Sequence, residues 1–319
     1  MNWGFIGTGR IAERIMKAFQ ILPESRVVAA YTRKENNLTA FCDKWSIPKR
    51  YNTIRDLIWD PEVEILYLAT PHIVHLEHFR EAVQAGKPIL CEKPMGMSAA
   101  ETQEMVALAK EHCVFLMEGL WTRFFPIYSK LREILNSGKL GRIYNVMADY
   151  SYHDTYDPTR RFFRKDLGGG AMRGAGIYPL ALATSVFGEL PCQIESMADM
   201  KNGIDLHSAA LLRFPCGGMA QIHSGFHGRA IQSASIACEK GSVWIPDFLW
   251  PSKLVVQTDD GEEVIEIPYE FPGFQFEIQE VERCVKAGKL ESEWIPLAES
   301  IGLAAALDEM YTIWQNNAM

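Results

Sequence analysis

The stretch WGFIGTGRIAERIMKAF (residues 3–19) joins a short apolar strand to an amphipathic helix through a turn with two closely spaced glycines. The turn has the pattern G-x-G-x-x-A, in which Gly7 allows a tight bend, Gly9 lets the backbone approach a pyrophosphate and Ala12 permits close helix–strand packing. The amides and the positive dipole end of the helix would bind the phosphates. The stretch therefore predicts a dinucleotide site, with a turn packed for structure alone as the alternative. Its predicted contacts are Gly7, Thr8, Gly9, Arg10 and Ile11.

Strand and helix signals alternate through the first 120 residues, with strands at RVVAAY (26–31), VEILYLAT (63–70), PILCE (88–92) and VFLME (114–118). This rhythm predicts a doubly wound parallel sheet of the Rossmann type over residues 1–119. Mainly strands follow between 192 and 268, and helices near 275–287 and 297–316 close the chain. We predict an α+β domain with a largely antiparallel, open sheet over residues 120–319. Its uncovered face predicts a homodimer or homotetramer.

Composition and charge limit the function. The chain has 319 residues and a net charge of −8, which argues against electrostatic binding of nucleic acid or of an anionic membrane. It contains no apolar run of the roughly 18 residues that span a bilayer, and the first residues lack the features of a signal peptide. The seven cysteines form no C-x-x-C pair, so we expect reduced, mostly buried thiols in a cytoplasmic protein.

The end of the second strand bears on the choice of dinucleotide. An NAD enzyme usually has an acidic residue there for the ribose hydroxyls. This chain instead has Thr32, Arg33 and Lys34, a hydroxyl and two cations that suit the 2′-phosphate of NADP. A solvated surface pair, with NAD as the cofactor, is the alternative.

Two further stretches follow strand ends, where ligands of open α/β sheets bind. TPHIVHLEH (70–78) carries three histidines at steps of three, which diverge by about 60° per step on a helix, so no metal site is expected. The predicted cofactor contacts in this stretch are Thr70, Pro71, His72 and His75. The second stretch is CEKP (91–94), whose predicted cofactor contacts are Glu92 and Lys93. Lys93 could accept the proton of a substrate hydroxyl, or it could be a surface lysine beside a turn proline.

Two stretches of the predicted second domain could contact a substrate. In LWTRFFP (120–126), Trp121 and Arg123 either line a substrate cleft or belong to a domain-interface core. GGGAMRGAGIYP (168–179) predicts a tight strand-to-helix connection that places Tyr178 at the start of a helix, with Pro179 in its first turn. Arg173 in this run either serves an acidic substrate or points to solvent.

These motifs, in this order along nearly the whole chain, resemble the Gfo/Idh/MocA family of NAD(P)-dependent oxidoreductases. The resemblance is closest to the branch of dimeric dihydrodiol dehydrogenases and NADP-dependent D-xylose dehydrogenases. It implies that Lys93 contacts both nicotinamide and substrate, that Tyr178 is the second catalytic residue and that Arg33 binds the 2′-phosphate. A sugar, polyol or cyclic diol is the implied substrate, which would sit over the nicotinamide in a cleft between the domains.

One position departs from the family pattern G-G-G-A-x-x-D-x-G-x-Y. The aspartate position is Gly174 in this chain, so one member of the implied catalytic set is missing. The departure leaves two alternatives beside a typical dehydrogenase of this family. The protein could be a catalytically silent NADP(H)-binding sensor, or an enzyme whose pocket accepts a bulkier or acidic substrate.

Overall fold

A computed structural model describes residues 1–317. The first part of the chain forms β1 (Asn2–Ile6), α1 (Arg10–Phe19), β2 (Arg26–Tyr31), α2 (Glu35–Trp45), β3 (Lys49–Tyr51), α3 (Ile54–Ile58), β4 (Ile65–Leu68), α4 (His75–Ala82), β5 (Ile89–Glu92), α5 (Ala99–Glu111) and β6 (Leu116–Gly119). The remainder forms α6 (Pro126–Asn136), β7 (Ile143–Ser151), α7 (Ile177–Phe187), β8 (Gln193–Lys201), β9 (Ile204–Arg213), β10 (Met219–Gly225), β11 (Ala234–Cys238), β12 (Gly241–Ile245), β13 (Lys253–Thr258), β14 (Gly261–Glu266), α8 (Gln275–Lys286) and α9 (Leu297–Asn317).

The first sheet has six parallel strands in the order β3-β2-β1-β4-β5-β6. Strands β4 and β5 are buried along their whole length, as expected where helices cover both faces. The strand order reverses between β1 and β4, and ligands of such sheets bind beyond the carboxyl ends of the strands at this reversal. The predicted doubly wound Rossmann sheet is confirmed.

The second sheet has eight strands in the order β14-β13-β12-β11-β7-β10-β9-β8. Every neighbouring pair is antiparallel except β7 and β10, which run parallel. Helix α7 packs against β7 and β10. The predicted α+β domain with a largely antiparallel sheet is therefore confirmed. Strand β7, which precedes the glycine-rich run, lies in the middle of this sheet and forms its parallel pair with β10.

The chain forms two compact units, and their limits differ from the single boundary predicted between residues 119 and 120. The first unit comprises Met1–Trp121 and Glu270–Ile301, and the second comprises Thr122–Tyr269 and the chain from Gly302 onward. Helix α8 belongs to the first unit because its Glu282 accepts hydrogen bonds from Trp3 Nε1 at 3.0 Å and Ser25 Oγ at 2.7 Å. Contacts between residues more than 250 positions apart decide this boundary, and local sequence patterns do not report them.

The cysteines correct one prediction. All seven are free, as expected, but only Cys42, Cys91 and Cys284 are buried, and Cys113, Cys192 and Cys216 are exposed. The expectation of mostly buried thiols is therefore wrong, because cysteines in the helix ends and loops of this chain face solvent. No helix within residues 1–317 combines the length and the hydrophobicity needed to cross a membrane.

Candidate active site

The first glycine turn has the shape that a pyrophosphate site requires. Gly7 has φ +111°, and a Cβ there would lie 2.6 Å from the carbonyl oxygen of Ala69, so a side chain is excluded on both counts. A Cβ on Gly9 would meet no protein atom within 4 Å, and α1 begins directly after it at Arg10. Thr8, Arg10 and Ile11 are partly or fully exposed around this helix start. The backbone amides of residues 7–11 therefore fit a diphosphate group.

The end of β2 presents two cations. Arg33 and Lys34 are exposed, and within residues 1–317 neither forms an ion pair with a carboxylate. Burial lowers the pKa of His78, and the Arg33 guanidinium lowers it too, while Glu77 opposes both effects. Arg33 and His78 are thus close enough to interact electrostatically. Thr32 is half-buried beside the two cations, which together could bind a phosphate dianion.

The loop after β4 is tied to the loop after β5 by His75. This residue is fully buried, with Nε2 at 2.8 Å from the Thr70 carbonyl oxygen and Nδ1 at 3.0 Å from that of Met95. Burial lowers the pKa of His75 to about 4, so the ring is neutral and can donate to only one of these carbonyls at a time. Its position makes it a connector between two strand-end loops, and a contact to a cofactor stays a prediction.

The other residues predicted in this loop lie close by. His78 Nδ1 is 3.1 Å from Thr70 Oγ1, and the rings of His72 and His75 meet edge to face with centroids 5.8 Å apart. His72 is buried and Pro71 is half-buried. Within residues 1–317 no three histidine, cysteine or acidic side chains are grouped so that they could hold a metal ion.

Buried carboxyl groups surround the loop that carries Lys93. Glu92 accepts a hydrogen bond from Tyr67 Oη at 2.6 Å and another from the Lys93 amide at 3.3 Å. Glu277 of α8 is fully buried nearby, and burial together with the charge of Glu92 raises its pKa well above the usual range. Two such groups cannot both ionise easily, so we assign the charge to the hydrogen-bonded Glu92 and the proton to Glu277.

Two buried acids that the sequence motifs do not predict, Glu118 and Glu277, lie inside the first unit beside the Glu92–Lys93 segment. Glu118 lies at the end of β6, where it accepts a hydrogen bond from the Met95 amide at 2.9 Å. A charged residue closing the apolar run VFLME (114–118) is the one local signal that could have drawn attention to Glu118. No comparable signal marks Glu277 within the amphipathic helix α8.

In the second unit, the glycine-rich run forms a π-helical turn. Met172–Gly176 adopt this wider helix and lead directly into α7, and such turns are frequent at functional sites. Tyr178 is the second residue of α7, and Pro179 follows it in the first turn. The helical backbone already begins at Ala171, however, so Tyr178 does not lie at the free helix start that the sequence predicts. The Tyr178 side chain is only 7% exposed, and its ring meets that of Tyr150 edge to face at 5.8 Å.

A buried acid anchors this turn. Asp205 of β9 accepts hydrogen bonds from the Met172 amide at 2.7 Å and from Tyr311 Oη at 2.6 Å. Burial raises the pKa of Asp205, and the hydrogen bonds from Tyr311, Met172 and Ser208 oppose that effect. Asp205 thereby connects the turn that precedes Tyr178 to both the sheet and α9.

Arg173 and Gly174 lie within the anchored turn. The Arg173 guanidinium carbon lies 3.9 Å from the centre of the Tyr311 ring, a cation–π contact, and Arg173 bonds to no carboxylate within the described residues. A Cβ on Gly174 would lie 3.7 Å from Phe162 and 3.8 Å from Phe226, which are ordinary contact distances. The missing family aspartate therefore leaves a position bordered by two aromatic rings.

Trp121 and Arg123 are both buried. Trp121 packs against Phe274 with ring centroids 4.9 Å apart, and Arg123 Nη2 donates to the Ala181 carbonyl oxygen in α7 at 2.8 Å. Of the two alternatives left open by the sequence, these contacts favour a packing role. Direct contact of either residue with a substrate stays a prediction.

Comparison with known proteins gives a consistent result along the chain. The model of an oxidoreductase family with an NAD-binding Rossmann fold, Gfo/Idh/MocA, matches residues 1–120, and that of the GFO/IDH/MocA C-terminal domain matches residues 128–244. Trans-1,2-dihydrobenzene-1,2-diol dehydrogenase of Mus musculus is 34% identical over 319 residues, covering 97% of this chain and 95% of the mouse protein.

Solved structures share the fold at low identity. Levoglucosan dehydrogenase in complex with NADH and levoglucosan has a TM-score of 0.89 and 18% identity, covering 99% of this chain and 97% of its own. A 3-ketoreductase from Actinomadura kijaniata in complex with NADP and TDP-benzene has a TM-score of 0.86 and 23% identity, covering 98% and 97%. The resemblance seen in the sequence motifs is confirmed, and the chain belongs to the Gfo/Idh/MocA family of oxidoreductases.

Proposed function

We propose that the protein is an NADP-dependent dehydrogenase that transfers a hydride between the nicotinamide and a secondary alcohol or carbonyl of a sugar, a polyol or a cyclic trans-diol. The observation that carries this proposal is the Lys93 loop, which follows β5 at the ligand-binding edge of a Rossmann sheet and is bordered by buried carboxyl groups. The diol in the name of the mouse relative and the sugar in that of levoglucosan dehydrogenase support the substrate class.

In this proposal the residues of the protein bind and orient the substrate and move one proton. Lys93 accepts the proton of the substrate hydroxyl during oxidation, and Glu92, which bonds the Lys93 amide, holds that segment in place. Tyr178, in the first turn of α7 directly after the π-helical turn, is the second proton-transfer group, the role that the family resemblance implies for it. The buried surroundings of Tyr178 orient its ring, and such orientation contributes much of the rate in reactions of this kind.

The preference for NADP rests on Arg33 and Lys34. A guanidinium without a carboxylate partner binds a phosphate dianion readily, whereas the ribose hydroxyls of NAD call for an acidic residue, which this position lacks. The relatives of known structure carry either nucleotide, so the residues of this chain decide the proposal.

The test is a screen of NADP⁺ and NAD⁺ reduction over pentoses, hexoses, inositols and cyclic diols, with Arg33→Ala beside the wild type. We expect turnover with NADP⁺, and a loss of about tenfold or more in NADP⁺ affinity, without a matching loss for NAD⁺, in Arg33→Ala. Arg26→Ala is the matched control, because Arg26 is exposed at the opposite end of the same strand. Tight NADPH binding without turnover on any substrate would contradict the enzyme and favour a sensor.

We also propose that the protein is a cytoplasmic homodimer, joined through the outer face of the second sheet. One row of register partners crosses five neighbouring strands on this face: Leu211, Gln221, Met147, Ser235 and Trp244. Three of these are large apolar side chains that are each close to half exposed, a pattern typical of a surface that another chain covers. A second copy is the partner proposed, since most soluble oligomers are symmetric homo-oligomers. The seven unpaired thiols support a reducing compartment.

A further inference from the structure

Glu118 occupies an unusual position for a glutamate. It lies in β6, where the register pairs Cys91 with Glu118 and Glu92 with Gly119, one strand away from the residues that lead into Lys93. Its side chain is only 2% exposed, and carboxylates are almost never buried to this degree unless they are paired. Packing alone does not explain an acidic side chain at this place.

The contacts of Glu118 point to the Lys93 loop. Oε1 accepts the hydrogen bond of the Met95 amide at 2.9 Å, two residues beyond Lys93. Oε2 is buried and accepts no well-formed hydrogen bond from the described residues. The Ser300 hydroxyl lies close enough to lower the pKa of Glu118. One carboxyl oxygen therefore shapes the loop, and the other keeps its capacity to interact with a charge.

Lys93 is the cation among the titratable groups that face Glu118. Burial raises the pKa of Glu118 to about 7, the Met95 amide and the Lys93 ammonium lower it, and Glu299 of α9 raises it. Cys91, whose pKa is raised by burial and by the charges of Glu118 and Glu92, lies on the neighbouring strand, and the neutral His75 contacts the same loop. The charge on Glu118 and the charge on Lys93 thus favour one another.

We propose that Glu118 is a positioning residue for Lys93, which anchors the Lys93 loop through the Met95 amide and places a carboxylate beside the Lys93 amine. Its catalytic consequence rests on the proposed function. When Lys93 takes the proton from the substrate hydroxyl, the O–H bond breaks, an N–H bond forms, and the Glu118 carboxylate stabilises the resulting ammonium. Glu118 itself touches neither substrate nor cofactor.

The first test follows the Lys93 amine directly. Lysines of the full-length protein are reductively methylated with ¹³C, and the Lys93 resonance is identified by its loss in Lys93→Met. In Glu118→Gln, which keeps an oxygen for the Met95 amide but removes the charge, we expect the Lys93 titration to move to lower pH by about one unit or more. Glu111→Gln, an exposed position on α5, is the control for net charge and should leave the titration unchanged. An unshifted Lys93 titration in Glu118→Gln would overturn the proposal.

A reciprocal measurement covers a Glu118→Gln variant that fails to fold. The carboxyl carbon of Glu118 is titrated by NMR in the wild type and in Lys93→Met, which replaces a partly exposed side chain. We expect the Glu118 midpoint to move to higher pH without the ammonium, and an unchanged midpoint would refute the coupling. Neither readout requires turnover. An inactive protein with intact coupling therefore contradicts only the proposed function, and an active protein without coupling contradicts only this inference.

Discussion

Gly170 and Gly174 lie four residues apart in the same glycine-rich run, yet their surroundings differ. A Cβ on Gly170 would come within 2.3 Å of Tyr311 Oη and 2.4 Å of Asp205 Oδ1, and its φ is +124°. Gly174 is helical, and the atoms nearest to a Cβ there would be ring carbons of Phe162 and Phe226 at ordinary contact distance. The anchor of the turn therefore requires a glycine at position 170, whereas a methyl group at position 174 meets no close contact.

Gly174→Ala should therefore stabilise the protein. Replacing a helical glycine lowers the conformational entropy of the unfolded chain, so we expect the free energy of unfolding to rise by about 0.5–1 kcal/mol. The measurement is urea denaturation of both proteins. Gly170→Ala is the matched control and should lose about 2 kcal/mol or more, because its Cβ collides with a buried hydrogen-bonded pair. Equal losses in both variants would show that position 174 also needs a glycine.

At the scale of elements, His75 connects α4 to the loop after β5, and its buried ring gives the protein a specific acid sensitivity. The pKa of His75 is lowered to about 4 by burial, whereas an unfolded histidine titrates near 6.5. Between these values the unfolded chain binds a proton that the folded chain does not. The stability that neutral His75 supports is thus present above pH 6.5 and is lost as the pH falls toward 4.

Comparison with His75→Gln tests this linkage. The measurement is urea denaturation of both proteins between pH 7 and pH 4. Over this range we expect the free energy of unfolding of the wild type to fall by about 3 kcal/mol more than that of His75→Gln. His112→Gln changes an exposed histidine at the end of α5 and should show no such relative trend. Parallel pH profiles for the wild type and His75→Gln would contradict a buried neutral imidazole.

Sequence patterns predicted most elements because those elements depend on local periodicity. The closing helix, expected over 297–316, is Leu297–Asn317. Helix α5 likewise begins at a local cap, in which Ser98 Oγ accepts from the Glu101 amide at 3.2 Å and the Glu101 carboxylate accepts from the Met97 amide at 2.9 Å. In each case the deciding contacts lie within a few residues.

The parts that escaped prediction depend on distant contacts. The π-helical turn is held by Asp205, which is 33 positions from Met172 and 106 from Tyr311. Glu118 was unremarkable in sequence because a carboxylate is normally exposed, and its burial becomes visible only with the neighbouring strands in place. Lys93 was singled out by its place after a strand end and Tyr178 by the glycine-rich run before it, the resemblance assigned their catalytic roles, and those roles stay predictions.

For the whole molecule, the sheet face proposed as the dimer interface yields a direct prediction. Met197 on β8 is 79% exposed, and its register partner Ala209 lies two residues before Leu211 on β9. A charged side chain at position 197 or 211 would therefore be buried when this face associates with a second copy. We expect the combined Met197→Glu and Leu211→Glu changes to convert a dimer into a folded monomer in sedimentation equilibrium. Trp59→Glu, at an exposed apolar residue of the first unit, is the control. A dimer that survives the double change would exclude this face.

We propose that the Lys93 loop performs proton transfer in an NADP-linked oxidoreductase, and the Lys93→Met variant tests this role of the loop. Turnover is followed by NADP⁺ reduction and NADPH binding by fluorescence titration on the same preparations. We expect turnover to fall by about 10²-fold or more, the usual contribution of a general base, while NADPH affinity stays close to that of the wild type. Turnover close to that of the wild type would contradict this role of Lys93.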